Sequence, residues 1–234
     1  MHLAILMTNT DESEFAQVRP KDGEKFTRLI NEVRPTWSCT TFSVKDGVFP
    51  KDIAQFDGVL ITGSPASVGE GAEWIARLLE LIREIDARKM PMFGACFGHQ
   101  AIAVALGGAM ERNMDGWVHG HVFVEQAPLP WGDNHPRVGL YASHIEQVTA
   151  LPDGATAVAS GPGCQIAGYV KGQHIYSTQY HPEMSDAFIA DLVEHTADYV
   201  GAEVTQVAQA SLANTADRAI FAEQIVQFFE WASE

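Results

Sequence analysis

Cys96, His181 and Glu183 are the residues of this 234-residue chain whose types and spacing could together do covalent chemistry. Cys96 sits in Phe93-Gly94-Ala95-Cys96-Phe97-Gly98-His99-Gln100, with a glycine two positions to either side. Glycines so placed let the backbone turn sharply and pack closely, as a strand-to-helix elbow that exposes a nucleophile requires. A cysteine at a helix start also meets free amide hydrogens and the positive end of the dipole, which favour its thiolate. The same residues suit a buried structural cysteine, a common setting for a free thiol. His181 and Glu183 flank Pro182. Residues two apart in an extended segment point the same way, and the proline disfavours helical geometry at His181. A carboxylate beside the imidazole fixes its tautomer and stabilises the imidazolium, which is what activating a thiol needs. Pro182 and Glu183 also suit the first turn of a helix, and the two readings are compatible. The chemistry on offer is nucleophilic attack on an acyl carbon.

Such groups need elements to hold them. His2 to Met7 reads as a strand, and Gly23 to Val33 as a helix that stops before Pro35. Trp37 to Val44 and Phe56 to Thr62 are strands, the second ending in Gly63-Ser64-Pro65. Ala72 to Arg88 has the apolar spacing of an amphipathic helix. Met90 to Ala95 is a strand running into Cys96, followed by a helix from about Gly98 to Leu106. This alternation predicts an α/β fold with a mainly parallel central sheet flanked by helices. Ligands bind such sheets at the carboxyl ends of strands, and here the ends at Gly63 and Cys96 stand out. The second half adds an antiparallel region: Gly116 to Gln126, Val138 to Ala142, Thr156 to Ser160, and a hairpin of Gln165 to Val170 with His174 to Tyr180. Helices are expected over Asp186 to Val200 and Ala216 to Trp231, with 201–215 a loop or a loose helix. No repeat or flexible linker divides the chain, so one domain over 1–234 is expected, with a core of about 1–200 and a C-terminal helical extension of about 201–234.

Composition excludes more than it selects. A net charge of −15 argues against nucleic acid, since phosphate binding needs a basic face. No apolar run is long enough to cross a bilayer, and Met1 to Met7 is too short, without a basic flank, for a signal peptide. Three widely spaced cysteines make a poor disulfide framework and fit a reducing cytoplasm. His119-Gly120-His121, with His135 nearby, lacks a compact ligand framework and reads as exposed histidines on a strand, so no metal is expected. His99 reads as structural, and Gly161-Pro162-Gly163-Cys164 as a turn. No dinucleotide fingerprint or phosphate loop is present, and no cofactor is expected. Phe221, Ile225, Phe228 and Phe229 have the spacing of a helix docked on its own core.

The elbow Gly94-Ala95-Cys96-Phe97-Gly98-His99-Gln100, followed 85 positions after Cys96 by the His181 of Gln179-Tyr180-His181-Pro182-Glu183, resembles the class I glutamine amidotransferases. The likeness spans roughly 55–190. It implies a flavodoxin-like fold and a Cys96–His181–Glu183 triad. An oxyanion hole would be formed by the backbone N–H of Phe97, which the elbow itself positions, and that of Gly63, in a segment like the family's glycine-bearing strand end. The resemblance makes Gln100 a substrate contact. It also places Ser143 and His144 at the substrate's α-carboxylate, although Ile145 and Glu146 stand where the family carries glycine and aspartate. The implied reaction is cleavage of the γ-carboxamide of glutamine through a Cys96 γ-glutamyl thioester, releasing glutamate and ammonia. The ammonia would serve a synthase subunit, because this chain has no visible ATP site. The alternatives are a stand-alone γ-glutamyl peptidase acting on γ-glutamyl peptides or glutathione conjugates, and a non-catalytic binding module on the same fold. Phe97 argues against the related cysteine-elbow proteases and chaperones, which have histidine there.

Overall fold

The computed structural model describes all 234 residues. In chain order, the strands are β1 (His2–Met7), β2 (Ser38–Ser43), β3 (Gly58–Ile61), β4 (Met92–Ala95), β5 (Ala109–Arg112), β6 (Val118–Gln126), β7 (Arg137–His144), β8 (Glu146–Ala150), β9 (Ala155–Gly161), β10 (Cys164–Lys171) and β11 (Ile175–Thr178). The helices are α1 (Glu14–Gln17), α2 (Asp22–Val33), α3 (Glu73–Ala87), α4 (Phe97–Ala105), α5 (Asp186–His195), α6 (Ala197–Val200), α7 (Ala202–Ser211) and α8 (Arg218–Ala232).

Nine strands form one sheet in the order β2-β1-β3-β4-β11-β10-β9-β6-β7. The first five are parallel, and the turn at Gly172 reverses β10 against β11 to begin the antiparallel half. The edge strand β2 is partly exposed, whereas β1, β3, β4 and β11 are buried on both faces and their side chains alternate between two cores. Leu3, Ile5, Leu60, Phe93 and Tyr176 face one core, completed by Phe26 of α2 and Phe221, Ile225, Phe228 and Phe229 of α8. Ala4, Leu6, Val59, Ile61 and Met92 face the other, completed by Ile75, Leu78 and Ile82 of α3 and Ile102 of α4. The C-terminal helix is thus part of the main core.

Three expectations change. The helix expected over Asp186 to Val200 breaks at Thr196, whose hydroxyl donates back to the Leu192 carbonyl at 2.8 Å, giving α5 and α6. The stretch after Gly201 is the regular helix α7, laid across β6. His119 and His121 are therefore buried, each only 6 % exposed, where exposed histidines were expected. At Gly120, φ is 91° and an added Cβ would meet Ala208 Cα at 2.9 Å, so only glycine admits the helix this close. The small antiparallel pair β5–β8 was not anticipated, because β5 is short and mostly exposed and shows no alternation.

Candidate active site

Cys96 leaves β4 and caps α4 with φ 49° and ψ −105°, a left-handed conformation that costs a non-glycine residue about 1–3 kcal/mol. Its neighbours impose that geometry. The Cys96 N–H donates to the Thr178 carbonyl of β11 at 2.8 Å, and the Gly98 N–H to the Thr62 carbonyl beyond β3 at 3.1 Å. A Cβ on Gly98 would collide with the Ile61 carbonyl oxygen, and one on Gly94 would come within 2.7 Å of the Gly98 backbone. Strand and helix can meet this closely only without those side chains.

His181 follows β11. Its N–H donates to the Tyr141 carbonyl at 2.9 Å, an antiparallel bridge that ties the far edge of the sheet to the end of β11. Its Nδ1 lies 2.7 Å from Glu183 Oε1, and both residues are buried. Helix α5 starts only at Asp186, where Ser185 Oγ accepts from the Phe188 N–H at 3.2 Å, so Pro182 and Glu183 lie in the turn ahead of it. An ionised carboxylate can only accept. The pairing therefore puts a proton on Nδ1 and turns Nε2, which bonds to nothing else, towards Cys96. Burial pulls the His181 pKa down. The Glu183 charge and then the Cys96 sulfur outweigh it and hold the imidazolium well above its usual range.

Gly63 closes the third side. A Cβ there would sit 2.9 Å from His181 Cε1 and 3.5 Å from Cys96 Cβ, so glycine leaves room above the sulfur. Neither the Gly63 N–H nor the Phe97 N–H donates to any group in the chain, although both residues are buried. Buried amides without acceptors are costly, and two beside a nucleophile are suited to a developing oxyanion. Thr8 anchors this corner: its hydroxyl lies 3.0 Å from the Thr62 carbonyl and 2.9 Å from the Gly63 carbonyl.

The other sequence-derived residues divide. Ser143 lines the same cleft as Cys96, His181, Glu183 and Gly63. Gln100 and His144 do not; they turn inward. Gln100 Nε2 donates to the Glu146 carbonyl at 2.8 Å and to Gln179 Oε1 at 3.2 Å, which uses both of its protons. His144 Nδ1 donates to the same Glu146 carbonyl at 3.1 Å, and burial lowers the imidazole to about 4, so it is neutral. Residues not anticipated include Thr8 and Gln179, whose Nε2 lies 3.7 Å from Cys96 Sγ. The signal for Gln179 was present, since it stands two positions before His181 on an extended segment.

The cleft holds about 640 Å³ and runs well past Cys96. Its outer wall is built by the 9–25 segment, α5 and α6, with Phe15, Lys25, Phe188 and His195 prominent. Phe15 stacks on His195 at 4.3 Å, and the Lys25 ammonium sits 3.6 Å over the Phe188 ring. Trp117 meets Tyr199 edge-on at 5.4 Å, on the same cleft. The arrangement brings a thiol, an imidazole held by a carboxylate and two unpaired amide donors to one wall of a cleft roomier than a free amino acid needs.

The family model described as glutamine amidotransferase class-I matches residues 32–187. The chain is 31% identical over 183 residues to gamma-glutamyl peptidase 3 of Arabidopsis thaliana, covering 72% of this chain and 71% of that protein. It is 29% identical over 166 residues to a subunit of the glutamine-hydrolyzing GMP synthase of Halobacterium salinarum, covering 69% of this chain and 85% of that protein. In fold it is similar to the crystal structure of a glutamine amidotransferase from Thermotoga maritima. The TM-score is 0.77 at 20% identity, over 100% of this chain and 97% of that one.

Proposed function

The chain belongs to the class-I glutamine amidotransferase family, and from that premise we propose that it is a hydrolase of γ-glutamyl amide bonds, acting alone on γ-glutamyl peptides or conjugates. The observation that carries the chemistry is the buried Cys96–His181–Glu183 arrangement beside two amides without acceptors. The Cys96 thiolate attacks the γ-carbonyl carbon, forming the C–S bond, while the carbonyl electron pair moves onto oxygen at the Gly63 and Phe97 N–H groups. The C–N bond then breaks as His181 passes its Nε2 proton to the departing amine. Water attacks the thioester, His181 takes its proton, and the thiolate leaves as glutamate is freed.

What favours peptides over free glutamine is the cleft. Its 640 Å³ falls in the ~300–1,000 Å³ range of sites for larger ligands, and its aromatic wall lies beyond the sulfur, where an amine portion would extend. The likeness to the Halobacterium salinarum GMP synthase protein favours a second reading, a glutaminase that feeds a separate synthase chain.

The test is glutamate release from glutamine, γ-glutamyl dipeptides and glutathione conjugates by the native chain and Cys96→Ala. Cleavage of peptides that falls at least ~10³-fold in the variant, with an unchanged circular dichroism spectrum, is expected. Release confined to glutamine would transfer the assignment to the glutaminase reading. Unchanged activity in Cys96→Ala would remove both.

A further inference from the structure

Behind the nucleophile, two buried amides form a chain whose direction is fixed at one end. The Glu146 backbone carbonyl can only accept, so the Gln100 group 2.8 Å from it is the NH2. That nitrogen also reaches Gln179 at 3.2 Å, and its partner there must be the Gln179 carbonyl oxygen. The Gln179 NH2 is thereby turned towards Cys96 Sγ, 3.7 Å away. Gln179 is 0 % and Gln100 4 % exposed, so both amides are shielded from bulk water.

We propose that Gln179 is a positioning residue for the nucleophile, donating an N–H to the Cys96 sulfur, with Gln100 as the lock that keeps the Gln179 amide from turning over. The proposal rests on the reading of Cys96 as nucleophile. A thiolate is a far better acceptor than a thioester sulfur. The bond is therefore strongest before attack and again as the thiolate departs in hydrolysis, and it slackens while the acyl group is attached. The donor aims the sulfur, and an N–H bonded to an anion favours the anion over its protonated form. The other titratable groups about Cys96 are His181, backed by Glu183, and Cys164, whose thiol burial raises to about 12 and keeps neutral. None of these is altered by substituting either glutamine.

The experiment measures iodoacetamide alkylation of Cys96 against pH in the full chain, followed on the Cys96 peptide by mass spectrometry, beside thermal melting. Gln179→Met keeps the shape and removes the donor, and should slow alkylation at neutral pH by ~10-fold or more and move the midpoint to higher pH. Gln179→Glu sets a carboxylate against the sulfur and should move it further. Gln100→Met leaves Gln179 in place but unlocked, and should give a smaller shift of the same sign; it also serves if the Gln179 variants do not fold. Lower melting temperatures with an unmoved midpoint would make the two glutamines structural only and overturn the proposal. A shifted midpoint in a protein that cleaves no γ-glutamyl compound would refute the assigned reaction and leave this relay standing. Turnover with unmoved midpoints would do the reverse.

Discussion

Glu183 gives His181 one oxygen, and its other oxygen, Oε2, is buried without a partner. The carboxylate therefore acts on the imidazole chiefly through charge and through the single 2.7 Å contact that sets the tautomer. It is the first of the influences that raise the His181 pKa against the lowering effect of burial. In Glu183→Gln the charge is gone, burial dominates and the imidazolium loses its proton at lower pH. The basic limb of the kcat/KM profile should shift to lower pH, and kcat should fall by on the order of 10²–10⁴. Initial rates across roughly pH 5 to 10 read both effects. A basic limb that stays in place would assign it to a group other than His181.

At the scale of elements, the site is a junction of strand ends. β4 delivers Cys96, β3 delivers Gly63, and the segment beyond β11 delivers His181, as the carboxyl-end rule for parallel sheets anticipates. Parallel neighbours set these ends side by side: Ile61 is paired with Gly94, and Thr178 with Ala95. The closeness of α4 to β3 depends on Gly98, and Gly98→Ala pushes a methyl into the Ile61 carbonyl. Overpacking of this kind costs about 1–3 kcal/mol, read as a lower urea midpoint, and shifts the elbow enough to abolish turnover. Gly63→Ala should behave differently, because its added methyl points at His181 Cε1 above the sulfur. Loss of activity with a nearly native urea midpoint is expected there. An active Gly63→Ala enzyme would show that His181 gives way freely.

At the scale of the molecule, burial has neutralised several histidines. It lowers His99 to about 3, and His119 and His144 to about 4, from an ordinary 6.5. Between those values the unfolded chain binds protons that the folded chain refuses, so stability is full above about pH 6.5 and is lost as the pH falls towards 4. His181 works with the opposite sign, since its raised folded value favours the folded state until the pH climbs through it. Melting temperature should therefore fall steadily from pH 7 to 5, and His99→Gln should flatten that slope by removing the most strongly lowered of these histidines. A flat profile down to about pH 4.5, followed by a sharp loss, would place acid unfolding on the carboxylates instead.

The features legible in the amino-acid sequence were local ones. Periodicity marked which face of Ala72 to Arg88 is buried, glycines at 94 and 98 marked the elbow, and proline at 182 marked an extended histidine segment. The resemblance then added Gly63 at a strand end, which the structure brings against Cys96 and His181. Tertiary packing settled what each buried face meets. Periodicity reports that a side chain is turned inward but carries nothing about its partner when that partner is distant in the chain. So Gln100 was assigned outward to a substrate, whereas it turns inward to Glu146 and Gln179, 46 and 79 positions away. The histidines of β6 read as exposed because α7, which covers them, shows only weak periodicity of its own and follows some 80 positions later. The outer wall of the cleft joins the 9–25 segment to α5 and α6, which only the fold of the intervening sheet brings together.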